Sequence, residues 1–381
     1  MSAPRFRLAP TPRLLVVGLL AALTAPLAAQ RPPAEAVASA ATADAPAIAR
    51  ARAFIRDTMR ALGAPGASIT VVRGGRVIWS EGFGMADLEQ QVPVTPLTRF
   101  RVGSVSKSLT AVAIGRLVEE GRLDLDQPIQ RYVPTFPVKR WPITTRQLAG
   151  HLGGVRHYRA AEENIVTRHY ADVTSALEVF AADSLEDEPG TRFRYSSYGW
   201  NLLSVIVEKA GGEDYLRLMQ RFVFDPAEMR HTVADQVDSI VPHRARWYTR
   251  GPNRGGILNA SFTDNSYKWA GGGFLATTED LAEFADALAR GRLLQPKTVE
   301  LLWTSQRTRD GRATGYGIGW FTDTDAAGRR RVFHSGGSVG GTAYLLIYPN
   351  DDLIVAVLVN SDSTFVGATP TIAEMFLTAR R

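Results

Sequence analysis

The chain has 381 residues, of which 45% are apolar and 22% charged, with a formal net charge of +6 and no cysteine. The missing cysteines exclude disulfides, thiol catalysis and Cys-ligated zinc together. Arg5, Arg7 and Arg13 at the N-terminus carry part of the positive charge, and the other arginines are scattered rather than gathered into a patch with aromatics, which argues against a nucleic-acid partner.

In chain order, "MSAPRFRLAPTPRLLVVGLLAALTAPLAAQ" reads first as a signal peptide over residues 1–29. Its arginines precede an apolar core, Leu14 to Leu23, that is too short to span a bilayer, and Ala28 and Ala29 offer a cleavage site. The expectation is a secreted or periplasmic protein with no stable membrane insertion after cleavage; an uncleaved N-terminal anchor is the alternative. Residues 30–381 then form a single catalytic domain, since no internal repeat or Gly/Ser-rich linker divides them.

From Arg31 to about Ala45 the Ala- and Pro-rich composition predicts a loose leader. A helix, "AIARARAFIRDTMRAL", follows and is stopped by Gly63 and Pro65. Next, "ASITVVRGGRVIWSEGFGMAD" gives two β-rich runs around Gly74 and Gly75, the signal of a hairpin. The middle of the chain is mainly helical by pattern. At the far end "RRVFHSGG", "GTAYLLIYP" and "LIVAVLVNSDS" read as three strands, the last two joined at "NDD", before a final helix "TPTIAEMFLTARR". The fold class is therefore α/β (α+β): one antiparallel sheet built from both termini (about 45–100 and 312–381), flanked by helices, with a helical lobe (about 101–311) inserted.

Three places carry possible chemistry. In "RVGSVSKSLTAVAIGRLV", Ser104 and Lys107 stand three apart at a helix start, so they share one face and the lysine can take the serine proton if burial lowers its pKa. The helix N-terminus would help hold negative charge nearby. The other reading makes Ser104 a helix cap and Lys107 a surface residue. Tyr195, in a loop just before the helix of "YSSYGWNLLSVIVEKAGG", could relay protons or simply pack in the core. His334 lies in "HSGG", where glycines let a substrate backbone run beside the strand and leave the Gly337 N–H free for an oxyanion; as one of six histidines it could equally be structural.

The ordered set "SVSK", "YSS", "HSGG" resembles the serine β-lactamase and penicillin-binding protein superfamily, in its class C β-lactamase and D-alanyl-D-alanine carboxypeptidase branch (peptidase family S12). The superfamily pattern is Ser-x-x-Lys, Tyr-x-Asn and Lys/His-x-Gly. "ITTRQLAGHLGGVRHY" and "DNSYKWAGGGFLATTEDLAEFADAL" look closer to the mitochondrial serine β-lactamase-like group and its bacterial relatives than to resistance enzymes. The resemblance implies a β-lactamase/transpeptidase-like fold, Ser104 as acylated nucleophile, Lys107 as its base or base partner, Tyr195 as proton relay and His334 in the place usually held by lysine. It also implies an oxyanion hole from the amides of Ser104 and Gly337, with Ser197, Ser335 and Gly336 along the substrate.

Two departures stand out. Ser197 occupies the asparagine position and removes a side-chain amide, while His334 turns a fixed charge for a substrate carboxylate into a pH-dependent one. Both favour a peptidase, amidase or esterase acting on a small-molecule or peptide substrate over an efficient β-lactamase. The alternative is a non-catalytic binding or assembly protein that keeps the fold.

Gly336 to Gly340 also spell Gly-x-Ser-x-Gly around Ser338, but a nucleophile elbow needs a helix after it and a later histidine, and neither follows. His151 and His157, six apart in a loop, do not form a metal motif, no cofactor loop is present, and "AGGGF" at 270–274 reads as a site of tight packing or a turn. Oligomeric state is not legible in the sequence.

Overall fold

The computed structural model describes residues 34–251, 255–362 and 364–378; the expected signal segment lies outside these. Helix α1 (Ala34–Leu62) begins well before the predicted helix and replaces the expected loose leader. Alanines at 34, 36, 38, 40, 41, 43 and 45 explain this, because alanine has the highest helix propensity, and Pro46 inside the helix removes only one amide donor. Ala47, Ala51, Ile55 and Met59 recur every four residues and are buried.

The predicted hairpin is present as β1 (Gly66–Arg73) and β2 (Arg76–Asp87), turned at Gly74 and Gly75, whose φ values of 59° and 71° suit a tight turn that side chains disfavour. Short β3 (Val92–Pro93) and β4 (Phe100–Arg101) lead to helix α2 (Val105–Glu119). Helices α3 (Thr145–Ala149), α4 (Ser197–Gly211) and α5 (Tyr215–Met219) follow, then strands β5 (Val233–Ala234), β6 (Tyr248–Arg250) and β7 (Ile257–Asn259). The short helix α6 (Trp269–Gly272) precedes β8 (Phe274–Ala276), α7 (Thr278–Ala289) and α8 (Pro296–Trp303). The chain closes with β9 (Phe321–Thr324), β10 (Arg330–Ser338), β11 (Gly341–Tyr348), β12 (Leu353–Val359) and α9 (Thr369–Leu377).

The main sheet has seven strands in the order β3-β2-β1-β12-β11-β10-β9, every pair antiparallel. Its centre is the pairing of β1 with β12, Ala67 opposite Val359, which joins the two ends of the sequence. Strands β11 and β12 are buried along their whole length, so their apolar runs do not alternate with polar residues. One face of the sheet (Leu346, Val355, Val357) shares a core with α1 and α9; the other (Leu345, Ala356, Leu358) shares a core with α2 and α7.

The middle of the chain is less helical than its pattern predicts. Between Gly150 and Ser196 the backbone makes only short 3-10 turns, at Ala161–Asn164 and Ser175–Val179. The guanidinium of Arg156, itself buried, holds this loop by donating to Asp183 at 2.6 Å and Glu163 at 2.7 Å. Helix α7, which the sequence pattern groups with the central helices, packs instead on β1 and β12, where Thr278 hydrogen-bonds Ser68 and Thr70 at 2.9 Å.

A buried ion pair fastens the segment before α2. Arg101 donates to Asp235 at 2.7 Å and to the carbonyl of Val339 at 2.7 Å, and Asn265 donates to the same carboxylate at 2.7 Å. Removing one partner of a buried pair strands the other charge. Arg101→Met should therefore cost about 3–5 kcal/mol of folding free energy, measured by chemical denaturation.

Candidate active site

Helix α2 is buried almost all round, from Val105 to Leu117, so its first turn places Lys107 in the interior with no exposed surface. The Lys107 Nζ lies 2.9 Å from Ser104 Oγ, 3.3 Å from Ser197 Oγ and 2.5 Å from the Gly271 carbonyl oxygen. None of these partners is a carboxylate. Burial, and secondarily the charge of Lys268, push Lys107 well below the ordinary lysine value. A neutral amine fits the three contacts: its two N–H bonds donate to Gly271 and Ser197, and its lone pair accepts the Ser104 hydroxyl proton. Ser104 has no capping hydrogen bond to the helix, so its side chain is not serving as a cap.

The glycines around this pair set backbone distances. A Cβ on Gly103, where φ is 49°, would stand 2.6 Å from the Gly337 carbonyl oxygen and 2.8 Å from its nitrogen, so the end of β10 lies directly against the turn that carries Ser104. Gly336 faces that same turn: its Cβ would meet the Val102 carbonyl at 2.1 Å. Gly336 is thus a packing position and does not line the cleft, whereas Gly337 borders open space. A cleft of about 600 Å³ is lined by Ser104, Tyr195, Ser197, His334, Ser335 and Gly337 among others. The pairing of β9 with β10 stops at Phe333, which leaves the edge of β10 from His334 to Ser338 without a neighbouring strand.

Tyr195 is half-buried beside Ser104, and the Lys107 amine stands 5.0 Å from the centre of its ring. Burial raises its pKa and contact with Ser104 offsets this only in part, so the phenol keeps its proton at neutral pH. His334 differs from its sequence-based expectation. Its Nδ1–H donates to the Ser335 carbonyl at 2.6 Å and its Nε2 lies 3.0 Å from the Tyr316 hydroxyl, which donates to it when the ring is neutral. Burial, then the neighbouring Lys107, lower its pKa to about 3. The pH-dependent positive charge expected at this position is therefore not available near neutrality.

Several cleft residues carry no motif that would reveal them. The backbone N–H groups of Ser196 and Ser197, orphaned at the N-terminus of α4, donate to Nδ1 of His151 at 3.1 Å and Nδ1 of His157 at 3.2 Å. The two histidines thus serve the helix end. Tyr158 lies in hydrogen-bond contact with Ser197, and burial pushes its phenol up to about 12. Lys268, buried, donates to the Asn164 side-chain oxygen at 2.5 Å, and burial with Arg101 nearby brings its pKa down to about 7. The "AGGGF" segment packs tightly as expected, and its Gly271 carbonyl also holds the lysine. Ser338 ends β10 before a tight turn into β11, strand-turn-strand, which is not an elbow. Among the described residues no group of three or more His, Asp or Glu side chains is placed to hold a metal ion, and no helix is long and apolar enough to cross a membrane.

A family profile described as "Beta-lactamase" matches residues 51–379. The chain belongs to the beta-lactamase family. It is 30% identical over 429 aligned residues to the human "Serine beta-lactamase-like protein LACTB, mitochondrial", covering 85% of this chain and 78% of that one. A solved structure of the octameric penicillin-binding protein homologue from Pyrococcus abyssi is 28% identical, with a TM-score of 0.74 over 87% of this chain and 76% of that one. The D-stereospecific amidohydrolase from a Streptomyces species, 24% identical, shares the fold with a TM-score of 0.69 over 82% of this chain and 97% of that one. The beta-lactamase fold and its serine hydrolase membership agree with the ordered motifs at Ser104, Tyr195 and His334.

The neutral His334 has a consequence for stability. Unfolding returns its ring to the ordinary pKa of 6.5, so the unfolded chain binds the proton more readily. Its contribution is complete above pH 6.5 and is lost as pH falls toward 3. At pH 5 the loss from this one group is about 2 kcal/mol relative to pH 7.5. Thermal denaturation should register a fall between those two pH values, smaller in His334→Gln.

Proposed function

We propose that the protein is an exported serine hydrolase of the S12 type that cleaves amide or ester bonds through an acyl-enzyme on Ser104. The observation that carries this is the 2.9 Å contact between Ser104 Oγ and a fully buried lysine that has no carboxylate partner. Lys107 takes the Ser104 proton as Oγ bonds to the substrate carbonyl carbon, and the carbonyl oxygen collects the developing charge between the N–H groups of Ser104 and Gly337. The C–N or C–O bond then breaks. The leaving group takes its proton from Lys107 by way of the Tyr195 hydroxyl, which remains protonated and can accept one proton while giving another. Water enters, loses a proton along the same route, and adds to the acyl carbon; the acid leaves and Ser104 regains its hydrogen.

Two features favour peptidase, amidase or esterase work over efficient β-lactam hydrolysis. His334 has both nitrogens engaged and no charge to offer a substrate carboxylate, and Ser197 supplies a hydroxyl where a side-chain amide would hold a β-lactam. The amidohydrolase among the solved neighbours is compatible with this, although the likeness to it is one of fold. Export rests on the arginines and apolar core of residues 1–29; the human relative is named as mitochondrial, so location is tested separately by fractionation and by the mass of the mature N-terminus.

Intact-protein mass spectrometry with a fluorophosphonate probe tests the assignment. Wild-type protein should gain one adduct, Ser104→Ala none, and turnover of p-nitrophenyl esters should vanish with it. Retained turnover in Ser104→Ala would remove Ser104 from the reaction. Tyr195→Phe should lower kcat by roughly 10²–10⁴-fold while still accepting the probe slowly, as expected for loss of a proton relay. Nitrocefin should be turned over with a kcat/KM on the order of a hundredfold below that of the best ester or peptide.

A further inference from the structure

The donors that face the cleft can be sorted by what already occupies them. His334 uses both ring nitrogens within the protein. The Tyr158 oxygen receives the Tyr267 hydroxyl at 3.3 Å and lies in hydrogen-bond contact with Ser197, and Lys268 is held on Asn164 at 2.5 Å. His157 is different. Its Nδ1 accepts the Ser197 backbone N–H at 3.2 Å, which places the single ring proton of the neutral imidazole on Nε2. Among the described residues no acceptor takes that Nε2–H, although the ring lines the cleft together with Ser104, Tyr195 and Ser197. The ring is fixed on two further sides, 4.5 Å from the Tyr158 ring and edge-on to Tyr195 at 5.5 Å.

The position of this donor relative to the reacting atoms limits what it can meet. With the carbonyl oxygen beside Gly337 and the leaving group directed toward Lys107 and Tyr195, the acyl chain has to extend into the rest of the cleft. The lining of the cleft includes His157, Tyr158, Ala161, Asn164 and Ile165, all from the loop between Gly150 and Ser196. An oriented N–H on such a wall discriminates between an acyl chain carrying an acceptor oxygen and a plain hydrocarbon one, because a buried donor left unpaired costs free energy.

We propose that His157 is a substrate-positioning residue whose Nε2–H donates to an oxygen on the acyl part of the substrate, so that N-acyl amino acid and peptide acyl groups are preferred to simple alkanoyl groups. This rests on the acyl-enzyme reading above. A glutamine can reproduce both contacts, its carbonyl oxygen accepting from Ser197 and its N–H₂ donating to substrate; phenylalanine reproduces neither.

The test compares two p-nitrophenyl esters that share a leaving group, one of an N-acetyl amino acid and one of butyrate, in wild-type, His157→Phe and His157→Gln proteins whose melting curves are recorded alongside. Wild-type kcat/KM should favour the N-acetyl ester by about tenfold or more, His157→Phe should reduce that ratio about tenfold, mainly through KM, and His157→Gln should restore most of it. A wild-type ratio near one, or an equal fall for both esters in His157→Phe, overturns the proposal, the second by assigning His157 to support of the α4 terminus alone. Fluorophosphonate labelling of Ser104 in the same samples separates this from the reaction itself: labelling with no ester preference refutes the role of His157, and absence of labelling in wild-type protein refutes the acyl-enzyme reading.

Discussion

The site depends on a lysine amine held in the protein interior without a counter-ion. An ammonium at that position would lose its hydration and gain only two hydroxyls and one carbonyl in return, so the neutral form is favoured. A lysine exposed to water would hold its proton and would be of no use as a base at neutral pH. The burial has a wide structural origin. It requires α2 to be apolar on nearly every face, with α4 and α6 packed against it on one side and β10 on the other. The rest of the architecture can be read as the support for this one desolvated group.

Glycine close to the amine makes that packing possible. Gly103 and Gly336 bring two backbone segments within a separation that no side chain tolerates, and Gly271 lies against Ser197 and Asn201 while presenting its carbonyl to Lys107. The same approach sets Gly337 directly against the turn that carries Ser104, so the packing that buries Lys107 also brings the end of β10 to the cleft. The antiparallel β1–β12 pairing joins the N-terminal hairpin to β10 through β11, although these stretches lie at opposite ends of the sequence.

The polar wall formed by the loop after α3 is a different kind of structure. It has little regular hydrogen bonding and is tied down by Arg156 and by the two imidazoles that receive the first amides of α4. Both imidazoles must be neutral to accept, and burial keeps them so: His151 lies well below the ordinary histidine value, and His157 is brought to about 4. The cleft therefore presents mostly neutral groups near Ser104, and Lys268 is its nearest titrating cation around neutrality.

Local pattern determined a great deal. The hairpin at Gly74 and Gly75, the terminal strands, the all-apolar run after Lys107 and the three-residue spacing from Ser104 are short-range features, set by turn chemistry and helical or strand period, and they identify the family and the serine–lysine pair. Helix α1 extends beyond its sequence pattern because a Pro- and Ala-rich stretch does not reveal whether alanine or proline prevails. His157, Tyr158, Lys268 and Tyr316 carry no periodicity and come from a loop or from separated elements, so their place in or behind the cleft is decided by tertiary contacts alone. The charge of His334 belongs to the same class: its residue type is fixed by the sequence, but its neutrality follows from burial and from Lys107, which lies far from it along the chain. Sequence could name the candidate groups, while their protonation depends on dielectric surroundings and partners that exist only once the chain has folded.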